Sequence, residues 1–239
     1  MNRGIYSLAN GMLSTQQAMD LVSNNLANAA TSGFKADSLA FNDALEQAIA
    51  SPSGRAVGTL GSGAVAKQHF TNLNQGQIQT TNAPLDLAIQ GKGMFAVQGP
   101  NGQTLYTRDG SFSTNAQGEL VNKQGYQVLD QSLRAIRMRP GTAQIGKDGG
   151  VATQDDGKPY AQIGLFEGTF TKEQNGLYSS TDAARSTTTT VTQGAVEASN
   201  VSPITSMIDM ISLGRNFETA QKSILAEDEM TQKLNSVLS

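Results

Sequence analysis

The 239-residue chain has no cysteine, no tryptophan and a single histidine. Without cysteine there is no disulfide framework, no thiol nucleophile and no thiolate-held metal. Its absence also fits a protein that works outside the cytosol without disulfide support. His69 has no second histidine to complete a metal set or a proton relay, so it reads as a structural or surface residue. Charge is scarce too: 15% of residues are ionic, where about a quarter is usual. The net charge is −3, and the 17 basic residues are dispersed, which excludes a nucleic-acid-binding face. No apolar run approaches the roughly eighteen residues of a membrane helix. Ala27-Asn28-Ala29 mimics a signal-peptidase site. The segment before it is broken by Asn10, Ser14, Thr15, Gln16 and Gln17, so a cleaved signal is not expected.

What stands in place of the missing charge is Gln, Asn, Ser, Thr and Gly. That composition suits a surface covered by other subunits, and equally a glycine-rich β-structure. Periodicity gives more. Ile5, Leu8, Met12, Thr15, Met19, Val22 and Leu26 recur at alternating steps of three and four, an a/d seam with one polar lapse. A helix from Asn2 to Asn28 follows, about 40 Å long. Met210, Leu213, Phe217, Ala220, Ile224, Glu227, Thr231, Leu234 and Leu238 repeat the pattern, widened at the start by Ile204, Met207, Ile208 and Ile211. Pro203 suits a first turn and Ser202 or Asn200 a cap, giving a second helix of about 54 Å to Leu238, weakened at Gly214.

Between the helices the period changes. Asn101-Gly102, Asp109-Gly110, Gln117-Gly118 and Gln124-Gly125 punctuate short β-prone pieces: Met94–Val97, Leu105–Thr107, Ser111–Ser113, Leu120–Asn122 and Tyr126–Leu129. This predicts a meander of antiparallel strands. Turns at Asp148-Gly149-Gly150, Asp156-Gly157 and Asn175-Gly176 continue it, and Thr187 to Thr192 reads as a late strand. Residues 51–63, rich in Gly, Ser and Ala, read as an extended linker. The fold class expected is α+β: long N- and C-terminal helices forming a coiled coil, with a central antiparallel β-rich domain. Its parts are an N-terminal helix (1–35), an extended linker (36–74), a β-rich outer domain (75–195) and a C-terminal helix (196–239).

Each pattern that could carry catalysis has a simpler reading. Asp155-Asp156 before Gly157 reads as a solvated turn rather than an acid–base pair. Gly91-Lys92-Gly93 lacks the spacing and hydroxyl of a phosphate loop, and Gly61-Ser62-Gly63 lacks the third glycine and the strand of a dinucleotide site. No catalytic residue, cofactor or metal is expected. Three readings of the whole remain: an assembly subunit, a secreted surface or adhesin-like β protein, and, least supported, an enzyme.

Ser23-Asn24-Asn25-Leu26-Ala27-Asn28-Ala29-Ala30-Thr31-Ser32-Gly33-Phe34-Lys35 resembles the N-terminal signature of the bacterial flagellar rod and hook protein family. Leu85–Ile89 through Gly93–Val97, Tyr106–Phe112 and Gly194–Val201 resemble further family segments, in the same order. The resemblance implies a structural axial subunit of the basal-body rod, located in the periplasmic space. It implies export by the flagellar type III apparatus without a cleaved signal, and assembly through terminal helices to transmit torque. The implied partners are copies of itself, other rod and hook proteins, the export apparatus and surrounding ring proteins, with no nucleic acid and no membrane insertion. Gly4-Ile5-Tyr6, Arg215–Glu218 and the ending Leu234–Ser239 resemble the proximal-rod F type; the distal-rod G type is second. The residues expected to carry subunit assembly are Ile5, Leu8, Met12, Met19, Val22, Leu26, Met210, Leu213, Phe217, Ile224 and Leu234. To these are added the amides of Asn24, Asn25 and Asn28, placed for hydrogen bonds to crowded neighbouring backbone, and Phe34 as an anchor.

Overall fold

A computed structural model describes residues 3–43, 46–50, 56–61, 64–141, 143–153 and 157–238. They form two compact units. One unit holds the terminal helices, α1 (Arg3–Ala27) and α2 (Pro203–Leu238), with the strands lying between residues 37 and 70. The other comprises Asn28–Ala36 and Thr71–Val201.

In the helical unit, α2 begins as its sequence dictates: Pro203 opens the first turn and the Ser202 hydroxyl caps it, accepting the Thr205 amide at 3.4 Å. Thr15, the polar lapse in α1, satisfies its hydroxyl on the Gly11 carbonyl one turn back, at 2.8 Å. The two helices touch. They do not, however, form the expected coiled coil, and that part of the fold class is corrected. The chain is α+β overall, with two described helices and a β-rich body, and no long coiled-coil pair is evident among the described residues. Leu8, Met12, Met19, Val22, Leu26, Met210, Leu213, Phe217 and Ile224 are only half-buried, whereas a knobs-into-holes seam would enclose them. Among the described side chains of α1, the buried ones are the polar Ser14 and Asn25. Along α2, Ile204, Met207, Ile208, Ile211, Leu225 and Met230 are all more than half exposed. A heptad pattern says which residues share a face, not what covers them.

Within the span 36–74, where a linker is expected, Asp37–Asp43 pairs with Ala64–Thr71, and Glu46–Ala50 pairs antiparallel with Ala56–Gly61. Residues 51–55 and 62–63 of the expected linker lie outside the described residues, as do Asp155 and Asp156.

The β body is built on antiparallel pairing. Among the described residues its main sheet runs Thr171–Lys172, Leu177–Ser179, Thr104–Thr107, Met94–Gln98, Gln127–Val128, Leu120–Val121 and Ser113–Thr114, in hydrogen-bonded order. Leu165–Glu167 joins Met94–Gln98 as well. This is not a purely local meander, because strand 104–107 lies between 94–98 and the distant 177–179. The strand at Met94 alternates faces: Phe95 and Val97 pack with Leu87, Ile89, Phe112 and Ile163, while Met94 and Ala96 pack with Tyr106, Phe166 and Tyr178. Both faces are buried, and each large apolar side chain there contributes about 1.5–3 kcal/mol. Phe95 and Phe112 meet edge to face at 5.1 Å.

Gly118 and Gly125 take φ values of +76° and +85° in the tight turns expected of them. Gly110 has another reason to be glycine. A Cβ there would fall 1.7 Å from the Leu87 carbonyl oxygen, so it permits a close backbone approach rather than a hairpin turn.

The body is also closed between its two ends. Ile78–Thr80 pairs with Ala195–Glu197, and Leu87–Gln90 with Thr190–Gln193.

Candidate functional site

Where the β body begins and ends, three charged side chains are buried together. Glu197 ends the strand Ala195–Glu197, Arg108 follows the strand Thr104–Thr107, and Lys35 closes the N-terminal signature. Their exposures are 1%, 3% and 1%. The Glu197 carboxylate receives Lys35 Nζ at 2.5 Å on Oε1 and Arg108 Nε at 2.5 Å on Oε2. The Gly76 amide donates to Oε1 at 2.7 Å. Arg108 is anchored further by the carbonyls of Gly93, Gly91 (2.6 Å) and Ile89 (3.3 Å). Lys35 also donates to the Asn74 carbonyl at 2.7 Å. Burial pulls the Lys35 ammonium below its ordinary 10.5, against the support of Glu197, and the Arg108 charge acts in the same direction as burial.

The backbone is fitted around this triad as closely as the side chains. The Gly33 amide donates to the Glu197 carbonyl at 2.7 Å, with φ of +68°. Asn200 acts as a second stitch: its Oδ1 accepts the Ala36 amide at 2.8 Å. Its Nδ2 donates to the Asn72 and Asn74 carbonyls at 2.8 and 3.0 Å. Phe34 is buried, with the Lys172 ammonium 4.2 Å from its ring centroid; Lys172 also donates to the Lys35 carbonyl at 3.1 Å. The nonapeptide Asn28–Ala36 is thus a strap laid on the β body.

Of the expected assembly residues, Phe34 lies in this cluster and Asn28 begins the same strap. Asn25 is buried in the helical unit, where its amide group bonds the Asp37 backbone at both ends (Nδ2 to O, 2.8 Å; Oδ1 from N, 3.0 Å). Asn24 is exposed, and Asn28 is half-buried and accepts the Thr31 hydroxyl at 3.4 Å. The remaining apolar positions lie along α1 and α2; the side chains of Ile5 and Leu234 fall outside the described residues. Lys35, Arg108, Glu197, Gly33 and Gly76 were not singled out as site residues in the sequence, and Asn200 only as an alternative cap for α2, a place that Ser202 takes. Lys35, Gly33, Arg108, Glu197 and Asn200 nonetheless stand inside the family-like segments, and a charged residue within each such segment was the available signal.

Away from the triad, the exposed Arg134 and Arg137 line an open cleft of about 600 Å³ with Tyr160 and Gln162. They are paired with Asp130 at 3.1 Å and Glu119 at 3.8 Å. No helix among the described residues is long and apolar enough to cross a membrane.

Several carboxylates in the body are held ionised. Hydrogen bonds from Ser186 and then Thr189 pull Glu167 below the ordinary 4.5, and Asn115 and Gln127 do the same for Glu119. The Thr169 amide and Ser180 hydroxyl lower Asp182 from 3.8. Burial raises Asp130, but the amides of Arg134 and Ser132 outweigh it. A carboxylate with a depressed folded-state pKa stabilises the fold above its ordinary value, and that contribution is lost as pH falls. The β body is therefore expected to lose stability steadily as pH drops below about 4.5, as followed by thermal melts from pH 6 to 3. A melting temperature that stayed flat over that range would contradict it.

Models of three flagellar families match the chain: "Flagella basal body rod protein" at residues 5–35, "Flagellar hook protein FlgE/F/G D1 domain" at 88–153, and "Flagellar basal body rod FlgEFG protein C-terminal" at 192–237. The flagellar basal-body rod protein FlgG of Caulobacter vibrioides is 34% identical over 99% of this chain and 100% of its own length. FlgG of Bacillus subtilis is 34% identical over 98% of each chain. FlgF of Caulobacter vibrioides is 34% identical over 93% of this chain and 92% of its own. The chain belongs to the flagellar basal-body rod protein family, whose members are structural subunits of the flagellum and not enzymes. Each member of the buried triad comes from a different one of the three matched segments: Lys35 from the first, Arg108 from the second and Glu197 from the third.

Proposed function

We propose that this rod subunit polymerises through its terminal helices, with copies of itself and with other rod and hook proteins, and so passes motor torque toward the hook and filament. One observation carries the reading. The first turns of α2 present Ile204, Met207, Ile208 and Ile211 to solvent, at 52–73% exposure. Neighbouring large apolar side chains on one helix are stabilised when another subunit covers them, at about 25 cal/mol for each Å² removed from water. A contact of this kind between unlike surfaces propagates into a filament when it does not close into a ring.

The further partners in this reading are the flagellar type III export apparatus and the ring proteins around the rod. The location is the periplasmic part of the basal body, reached without cleavage of a signal. FlgG-named and FlgF-named relatives stand level at 34% identity. The Gly4-Ile5-Tyr6 start and the segment Arg215–Glu218 support the proximal-rod F type. A proximal-rod subunit must be present before a FlgG-type subunit can join the basal body, which deletion of the gene tests.

The helix contacts are tested by Ile208→Asp combined with Ile211→Asp. Both side chains are exposed, so the melting temperature of the purified chain should stay within a degree or two of the parent while rod assembly and swimming are lost. Phe217→Asp, at a half-buried position, should likewise abolish assembly and swimming while the β body still folds. Swimming cells carrying the double variant would refute the assignment.

A further inference from the structure

We infer that the triad is a latch that closes only on a folded β body, and that the strap Asn28–Ala36 opens and closes separately from that body. The ion pair between Arg108 and Glu197 is built entirely from the body. Arg108 is fixed by the carbonyls of Ile89, Gly91 and Gly93, and Glu197 by its pairing with Ile78 and by the Gly76 amide. One cation and one anion balance there without the strap. The strap then brings Lys35, a second cation, against a pair whose charges already balance, and in the closed site both partners of the new contact are at 1% exposure or less. Burying an excess charge is costly even when it is hydrogen-bonded. The depressed pKa of Lys35 points the same way. The strap's other contacts must offset that cost, so the strap is released before the body itself unfolds.

Before the body folds, the strap has nowhere to dock, because the Arg108–Glu197 pair and the carbonyls of Asn72 and Asn74 are assembled only by distant strands. Once docked, it is joined through Asn200 to the segment leading into α2. The strap is itself continuous with α1, which ends at Ala27. On the reading of this chain as a rod subunit, the latch withholds the paired presentation of both helices from chains whose body is unfolded.

Native-state hydrogen exchange on the full chain tests this. The amides of Gly33 and Ala36, bonded to Glu197 and Asn200, should exchange at least tenfold faster than those of Leu129 and Gly164, bonded within the body. Gly33→Ala leaves the side chains of the Arg108–Glu197 pair untouched while its added Cβ lifts the strap from the Arg108–Asp109 backbone, so it should speed exchange in the strap a further tenfold or more and leave Leu129 and Gly164 as they were. Lys35→Ala removes the excess buried charge and should not speed strap exchange. Strap and body amides exchanging together, in the parent or in Gly33→Ala, would overturn the latch. A complementation assay separates the two claims. Gly33→Ala should abolish swimming; if it opens the strap yet cells swim normally, the gating role fails while the rod assignment stands.

Discussion

Glu197→Ala is expected to cost about 3–5 kcal/mol, the range for removing one partner from a buried ion cluster. The reason lies in what stays behind. Lys35 and Arg108 would both remain at 3% exposure or less with no anion between them, and the Gly76 amide would lose its acceptor. Arg108 has no easy way out, because it is tied to three carbonyls, and Lys35 leaves its Asn74 carbonyl only if the strap lifts. Urea denaturation followed by far-ultraviolet circular dichroism, with the slope unchanged, would give the loss directly. Glu197→Gln keeps the shape and one acceptor oxygen but not the charge, so it should fall between the parent and the alanine variant. A loss below about 1 kcal/mol for Glu197→Ala would mean that the cluster is an incidental contact.

Gly33→Ala should have a comparably large effect on assembly by a different route. The residue has φ of +68°, which costs an alanine about 1–2 kcal/mol. Its Cβ would lie 2.3 Å from the Asp109 amide nitrogen and 2.5 Å from the Arg108 carbonyl carbon. Both are backbone atoms, and the Arg108 side chain anchors that backbone, so the strap must lift instead. The expected result is a folded β body with Gly33 detached from Glu197, cut by protease within 28–36 and unable to support swimming. Gly11→Ala is the control. Nothing lies within 4 Å of its added Cβ and it stands inside α1, so it should stabilise the helix by about 0.5–1 kcal/mol. If Gly33→Ala cells swim and resist cleavage like the parent, the strap is not held as described.

How much of this was legible in the sequence differs from one feature to the next. The boundaries of α2 were readable because proline and a hydroxyl residue act locally, within one turn. The strand at Met94 and the turns at Gly118 and Gly125 were readable for the same reason. What covers a stripe is not local, and the coiled-coil expectation failed there. The triad was hidden by distance along the chain: Lys35 and Glu197 are 162 residues apart, and Arg108 and Glu197 are 89 apart. No periodicity links such positions. Gly110 was misassigned to a turn because Asp-Gly is the usual hairpin pair, whereas here the missing side chain makes room for a carbonyl from another strand.

The pairing of Ile78–Thr80 with Ala195–Glu197 has a mechanical consequence. In its antiparallel register Ile78 lies opposite Glu197, so the chain enters and leaves this pair of strands at the same end. Tension between the incoming and outgoing segments would peel the two strands apart one bond at a time, as a zipper opens, rather than load all the bonds in shear. Glu197 sits at the mouth of that zipper, and its carboxylate ties together the incoming Gly76, the strap at Lys35 and the interior at Arg108. In the torque-carrying role proposed above, the buried salt links are the pin that keeps the fastener from starting to run.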